Sequence, residues 1–198
     1  MNYYLFPQKI ASHDCDLFHA YRQRLIRYCY ELHQTDTGKE YTVPRNGWQS
    51  HNLDLREDFN QFQFFLNWNV RKCMIKYGFD MSLIPDYKYE IIVMNHGYPG
   101  SYHDYHVHPG AHLSGVLWIH APKNSGNLIF RNKDSFSQAS IINRLLLKEI
   151  EEHHIDISYE YVPREGQMIL FPPNLAHDVG TNESNLDRIS LVFNIRFD

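Results

Sequence analysis

Residues 106–119 read HVHPGAHLSGVLWI, and this segment decides how the rest of the chain is interpreted. Side chains of an extended segment alternate between two sides, so His106 and His108 point the same way. At a rise of about 3.3 Å per residue their Cα atoms lie about 6.6 Å apart, which lets both imidazoles reach one metal ion. Pro109 favours extended backbone at His108, and imidazole suits iron, zinc, copper and nickel. Alone, a His-x-His pair more often lies on a surface loop.

A third histidine follows a segment whose backbone is constrained. Residues 166–177 read GQMILFPPNLAH: a turn glycine, a short apolar strand, a Pro-Pro corner and then His177. A metal ligand needs a backbone that holds it in place, and the two prolines restrict the chain just before it. With His106 and His108, His177 therefore indicates a metal site.

Arg188 and Ser190 are two residues apart and share one face of a predicted strand. The planar guanidinium of arginine binds a carboxylate through two hydrogen bonds, and a serine hydroxyl adds a third donor. A lone Arg-x-Ser pair predicts only a surface ion pair. The order of the whole set, His-x-His, His, Arg-x-Ser, favours a metal with a carboxylate beside it.

The hydrophobic pattern predicts two helices followed by many short strands. The helices span about 14–33 and 58–77, and Gly78 is a natural residue to end the second one. Residues 35–52 and 95–105 are predicted as loops, and residues 134–153 as mixed and partly helical. This order is typical of an α+β, mainly β fold with a jelly-roll core and two N-terminal helices packed on one sheet. The predicted strands are 87–94, 112–120, 127–131, 155–161, 167–171 and 188–197.

Length and composition limit the class of protein. At 198 residues we expect one domain, with a helical support region over about 1–80 and the jelly-roll core over about 87–198. The net charge of −4 argues against a nucleic-acid partner, and no apolar run is long enough to span a membrane. The first residues lack the pattern of a signal peptide, and the three cysteines lack metal or disulfide spacing. These features predict a cytoplasmic protein.

Five segments in this order resemble the 2-oxoglutarate/Fe(II)-dependent oxygenases, specifically a small group found in bacteria and phages. The resemblance implies a double-stranded β-helix (jelly-roll) core with one Fe(II), and 2-oxoglutarate and O2 as co-substrates. It implies that the far carboxylate of 2-oxoglutarate binds Arg188 and Ser190, and that a substrate is hydroxylated while succinate and CO2 are released. A phage-encoded member would work in the host cytoplasm. The five segments are NGWQS (46–50), residues 106–119, SGNLIF (125–130), residues 166–177 and RISLVFN (188–194).

The chain departs from the wider superfamily at one ligand. Members commonly have His-x-Asp or His-x-Glu, whereas His108 stands at the second position here. Asp104 lies two residues before His106 and could share its face, but about 13 Å of extended chain separates it from His108. Both pairings include His106. The motif favours His106, His108 and His177 as ligands, with Asp104 either an alternative ligand or an acceptor that orients an imidazole.

Four further residues are candidates for the pocket. Asn95 and Tyr102 lie in the predicted loop before His106, and Trp118 and Asn194 lie on predicted strands. Aromatic residues on such strands pack in a core more often than they recognise a substrate. The prime substrate, a small molecule or a peptide, and the oligomeric state are not readable from the sequence.

Two other classes of function fit the histidines. One is a cupin-like jelly-roll module that holds zinc without redox turnover, and the other is a metal-dependent hydrolase. The hydrolase lacks a convincing general base other than Asp104. A plain metal-binding module has no need of Arg188 and Ser190, so this pair favours the oxygenase.

Overall fold

The computed structural model describes residues 8–39, 44–54, 56–84, 86–132 and 158–197. Its architecture confirms the predicted class, because two helices pack on a curled and mainly β core. The predicted mixed segment 134–153 lies outside the described residues. The elements are β1 (Ala11–Asp14), α1 (Phe18–Thr35), β2 (Pro44–Gln49), a 3-10 turn (Asn60–Phe62), α2 (Gln63–Tyr77), β3 (Tyr87–His106), β4 (Leu113–His120), β5 (Leu128–Arg131), β6 (Ser158–Tyr161), β7 (Gln167–Phe171), β8 (His177–Val179) and β9 (Arg188–Phe197).

The strands form one curled sheet in the order β1-β7-β4-β9-β3-β8-β5-β6, with β2 paired to β3. All pairings between the described strands are antiparallel. β3 is 20 residues long. Its first part pairs with β9 over Tyr87–Gly97, and its last part pairs with β8 through His103 and His106. One strand therefore takes part in both halves of the curled sheet, which is how a double-stranded β-helix encloses its interior.

Two predicted loops are wrong in part. Residues 95–105 continue β3, because their backbone groups pair with β2, β8 and β9, which lie far away in sequence. Within 35–52, Pro44–Gln49 form β2 on the edge of β3. Glycine and proline made both segments resemble loops, yet tertiary pairing supplies the hydrogen bonds that local propensity does not predict. Two strands, β1 and β2, therefore come from the region expected to be helical.

The two helices cover the outside of the sheet. Phe18, Leu25 and Cys29 are the buried side chains of α1, and α2 buries Phe65 and Leu66 among others. α2 packs against β1 and β7, and α1 against β4. Gly78 ends α2 in the left-handed conformation, with φ of 104°, as the sequence predicts. Among the described residues no helix combines the length and the apolar character needed to cross a membrane.

One buried amide joins α2 to the segment after β1. The Asn69 oxygen accepts the backbone N–H of Asp16 at 2.7 Å and lies 3.0 Å from Nε2 of His13. The Asn69 nitrogen donates to the backbone oxygens of Asp16 and Phe65. Because Asn69 is fully buried, these polar groups have little access to water and depend on one another.

We therefore expect Asn69→Ala to destabilise the fold by about 1–3 kcal/mol, since it leaves buried donors without an acceptor. Urea denaturation followed by circular dichroism measures the change. Asn60→Ala, at an exposed position, is the matched control and should leave the midpoint unchanged. Equal midpoints for the two variants would show that the Asn69 amide does not anchor α2.

Candidate active site

Three imidazoles converge at the junction of β3 and β8. His106 is the last residue of β3 and pairs directly with His177, the first residue of β8. His108 follows just beyond the strand, where its backbone N–H donates to the carbonyl of Pro173 at 2.8 Å. One ring nitrogen from each of the three histidines lies within 4.8 Å of the others, and the Nε2 atoms of His108 and His177 are 3.2 Å apart. Such a cluster can hold one metal ion.

Two of the rings are held by backbone carbonyls. Nδ1 of His106 lies 2.7 Å from the carbonyl oxygen of Asp104, and Nδ1 of His177 lies 2.8 Å from that of Leu175. A carbonyl only accepts, so each ring carries its proton on Nδ1. Nε2 of each ring then has a free lone pair, which is the tautomer that a metal requires.

Asn194 holds the third ring from behind. In the structure its amide nitrogen lies 3.2 Å from Nδ1 of His108, and its amide oxygen accepts from the hydroxyl of Ser114 at 2.8 Å. The amide can turn by 180°, because the serine hydroxyl can either donate or accept. A proton on Nδ1 of His108 then faces the amide oxygen, which leaves Nε2 free. Asn194, a predicted pocket residue, thus supports His108 and does not line the cavity wall.

The three imidazoles are neutral at pH 7. Burial, together with the neighbouring rings of His177 and His106, lowers the pKa of His108 to about 3. Burial, with the nearby His106, lowers the pKa of His177 to about 4. Burial also lowers the pKa of His106. Neutral rings have the lone pairs that bind metal, so none has to lose a proton first.

Asp104 points away from this cluster. The pairing of β3 with β8 shifts register between His103 and His106, which breaks the alternation of side chains. The Asp104 carboxylate forms an ion pair with Arg45 at 2.6 Å and is half-exposed. The expectation that this side chain shares the face of His106 is therefore wrong. Asp104 does orient an imidazole, but through its backbone carbonyl.

Arg188 and Ser190 lie on β9 beside the same cavity. Arg188 is 4% exposed, and its Nη1 donates to the backbone oxygen of Ser125. Its Nη2 is buried without a hydrogen-bond partner, and within the described ranges Arg188 forms no ion pair. Burial lowers the pKa of Arg188 to about 10, so the group stays charged at pH 7. A buried and unpaired cation next to a cavity is a candidate binding site for an anion.

The cavity between these groups has a volume of about 230 Å³. Asn95 and Trp118, two predicted pocket residues, line it. Tyr102 does not, because it is 42% exposed and lies on the other side of β3. The structure thus places Tyr102 outside this cavity. The walls are largely apolar and include Val93, Val116, Leu128, Phe171, Val179 and Val192.

Three polar lining residues were missed by the sequence analysis. His103 is buried beside Arg188, and burial together with that charge holds the pKa of His103 well below its ordinary value. Only the register shift in β3 brings His103 to the face of His106, and no sequence pattern announces it. Lys39 and Gln49 line the cavity from the segment predicted as a loop. A polar residue at the end of an edge strand gives no recognisable signal.

Gly126 makes room for the guanidinium of Arg188. Its φ is +94°, a conformation that L side chains rarely adopt. A Cβ at this position would meet the backbone oxygen of Gly180 and would lie 2.7 Å from Nη1 of Arg188. The glycine in the SGNLIF segment is therefore explained by close packing around Arg188.

A match to a family model identifies the class of protein. Residues 92–194 match the family described as "Putative 2OG-Fe(II) oxygenase", and this match covers more than half of the chain. The chain therefore belongs to the 2OG-Fe(II) oxygenase family. The match contains all three histidines, Arg188 and Ser190. No curated protein matches the chain by sequence.

Solved structures share the fold over nearly the whole chain. A prolyl-4-hydroxylase of Pseudomonas putida is 14% identical with a TM-score of 0.63, covering 98% of this chain and 95% of its own. A prolyl hydroxylase of Trichoplax adhaerens, in complex with a hypoxia inducible factor peptide, is 12% identical with a TM-score of 0.61, covering 96% and 83%. HygX of Streptomyces hygroscopicus, with nickel and 2-oxoglutarate bound, is 10% identical with a TM-score of 0.58, covering 95% and 82%.

The expected fold and class of enzyme are confirmed. The core is the double-stranded β-helix of the 2OG-Fe(II) oxygenases, and the protein is an oxidoreductase of the dioxygenase type. Its cofactors are those of the family, Fe(II) and 2-oxoglutarate, with O2 as the oxidant.

Replacing Gly126 tests the packing around Arg188. We expect Gly126→Ala to lower the free energy of unfolding by about 1–2 kcal/mol, because alanine disfavours the left-handed backbone. Overpacking around the added methyl group should lower it by about 1–3 kcal/mol more. Gly110→Ala is the matched control, because Gly110 has φ of +91° but no atom within 4 Å of the added Cβ. Thermal and urea denaturation of both variants measure the difference. Equal losses of stability in the two variants would mean that the residues around Gly126 accommodate the added methyl group without destabilising the fold.

Proposed function

We propose that His106, His108 and His177 hold the Fe(II), and that Arg188 and Ser190 bind the far carboxylate of 2-oxoglutarate. The reaction would be hydroxylation of a small-molecule or peptide substrate, with release of succinate and CO2. The observation that carries this proposal is the buried guanidinium of Arg188, which forms no ion pair with the described residues, in the same cavity as three neutral imidazoles.

The donor set suits a ferrous ion. Imidazole nitrogen is a common ligand of iron, and backbone carbonyls orient two of the three rings. Three neutral ligands leave the full positive charge of the metal in a poorly solvated cavity. A dianionic co-substrate that binds beside it would neutralise that charge, which favours 2-oxoglutarate over a neutral ligand.

The guanidinium suits the far carboxylate. One of its terminal nitrogens is already bonded to the Ser125 carbonyl, which fixes the group, while the other lacks a partner. A carboxylate would satisfy this buried donor and cancel its charge, and Ser190 on the same face offers a hydroxyl. A zinc-binding module without turnover would gain nothing from burying such a cation, so the proposal favours the enzyme.

The bound iron, 2-oxoglutarate and O2 together supply the oxidising power for hydroxylation. The protein contributes position and exclusion of water. The three imidazoles line the same cavity as Arg188 and Ser190, which would hold the co-substrate beside the metal. Apolar walls, including Val116 and Val192, keep bulk water from the reacting groups.

Substrate, domain and location are parts of the same proposal. Similarity of fold to a prolyl hydroxylase seen with a peptide supports a peptide or a small molecule as substrate.

We propose one oxygenase domain over 1–198, since β1 and β2 join the sheet of the catalytic core. Three free, buried thiols and an intracellular co-substrate favour the cytoplasm.

The ligand set is tested by removing one imidazole. We expect His177→Ala to weaken Fe(II) binding by more than about 100-fold, beyond the effect typical of outer partners of a ligand. Asp104→Ala is the matched control and should keep stoichiometric iron, because the carbonyl that orients His106 remains. Iron content after anaerobic loading and desalting is the measurement. Retained iron in His177→Ala, or its loss in Asp104→Ala, would contradict the assignment.

The co-substrate site is tested on β9. We expect Arg188→Ala to weaken 2-oxoglutarate binding by about 2–5 kcal/mol, because a buried carboxylate would lose its partner. Arg196→Ala, on the same strand but paired with Glu90 at the surface, should bind normally. Anaerobic titration of the Fe(II) protein, followed by the visible absorption of the chelate, gives both affinities. An equal loss of iron and 2-oxoglutarate affinity in Arg188→Ala would contradict a separate role in co-substrate binding.

A further inference from the structure

One cation in the cavity has no role in the proposed function. Lys39 is half-buried and lines the same cavity as the three histidines and Arg188. Within the part of the chain that the structure describes, its ammonium forms no ion pair. Desolvation by burial lowers the pKa of Lys39, and Asp36 partly opposes this. Lys39 is thus a cationic residue of the cavity wall that forms no ion pair with any other described residue.

Asp36 is the nearby acid, and its carboxylate is already occupied. It accepts the backbone N–H groups of Gly38 at 2.7 Å and His51 at 2.8 Å. It also pairs with Nδ1 of His51 at 2.5 Å. These bonds hold the carboxylate in the turn after α1, so it does not serve as the partner of Lys39.

The backbone of Lys39 is fixed to the sheet. Its N–H donates to the carbonyl of Gln49, the last residue of β2, at 3.1 Å. Trp48 holds the same turn, because its indole N–H donates to the backbone oxygen of Asp36. The Gln49 side chain in turn donates to the oxygen of Asn95 at 2.8 Å. Lys39 therefore lies outside the helices and strands, but its backbone is tied to the last residue of β2.

Lys39 stands at one end of a row that crosses the sheet. Gln49 pairs with Asn95, Asn95 with Ser190, and Ser190 with Trp118. All four line the cavity. Ser190, which binds the co-substrate in the proposed function, is the third of these four residues. The backbone of Lys39 is thus three strand spacings from that of Ser190, about 14 Å at the usual spacing, which separates the two side chains along the cavity wall.

We propose that Lys39 binds a carboxylate of the prime substrate, and that the rest of this substrate is an apolar skeleton packed against the cavity walls. The inference rests on the proposed function, in which Arg188 and the metal take the two ends of 2-oxoglutarate and leave Lys39 unused. Apolar side chains make up most of the remaining wall, which offers few polar partners to any other part of the substrate.

The first arm of the test asks whether Lys39 binds the co-substrate. The protein is loaded with Ni(II), which blocks turnover, and 2-oxoglutarate is titrated in a calorimeter. We expect Lys39→Met to bind 2-oxoglutarate within about threefold of the unmodified protein, whereas a role as its carboxylate partner would cost at least about tenfold. A loss of that size would overturn the proposal. Failure of the unmodified protein to bind 2-oxoglutarate would instead refute the proposed function.

The second arm asks for a carboxylate preference. Three acids are titrated into the Ni(II)–2-oxoglutarate complex, each beside its uncharged amide: butyrate, hexanoate and 4-phenylbutyrate. We expect at least one acid to bind at least about tenfold more tightly than its amide. Lys39→Met should abolish this preference and Lys39→Arg should keep it. Lys72→Met, at an exposed position on α2, is the control for loss of charge.

The outcomes of the second arm are decisive because 2-oxoglutarate binding is established first. An acid preference that depends on Lys39 supports the proposal. No preference for any acid, or one that persists in Lys39→Met, overturns it and leaves the iron and 2-oxoglutarate sites intact.

Discussion

The antiparallel pairing of β3 with β8 is the constraint on which the active site depends. It sets His106 opposite His177, two residues that are distant in sequence, and brings their imidazoles to one point. The same pairing shifts register between His103 and His106, which turns His103 into the cavity and Asp104 out toward Arg45. Hydrogen bonds between two backbones thus decide which side chains can meet a metal.

The buried charge in the cavity lowers the stability of the fold and favours the binding of an anion. Burial keeps the imidazoles neutral and leaves Arg188 charged with one buried donor unsatisfied. An uncompensated buried charge costs several kcal/mol, and the Ser125 carbonyl offsets only part of that cost. In the proposed function a carboxylate ligand would relieve this cost, so the buried charge of Arg188 would favour binding of the co-substrate. Gly126 contributes by leaving space beside the guanidinium.

The turn after α1 connects the helical region to the active-site cavity. The Trp48 ring packs at a tilt against His33 of α1, with ring centres 4.6 Å apart, and its indole N–H donates to the backbone oxygen of Asp36. This packing presents Lys39 to the cavity from a part of the chain that lies before the family match. The family match contains the three histidines, Arg188 and Ser190, whereas Lys39 and Gln49 add to the cavity wall from the segment before it. Recognition of the prime substrate is expected to depend on such walls, since the fold alone does not specify it.

The sequence determined the parts that depend on local pattern and residue chemistry. Helical periodicity predicted both helices, alternating and apolar runs predicted most strands, and the order of His106, His108, His177, Arg188 and Ser190 predicted the class of enzyme. Only the tertiary structure decided the continuation of β3 through 95–105, the strand at Pro44–Gln49 and the orientation of Asp104. Each of these depends on pairing between segments far apart in the chain, and a one-residue shift in such pairing reverses which face a side chain occupies. For the same reason the structure, and not the sequence, brought Lys39 and His103 to the cavity.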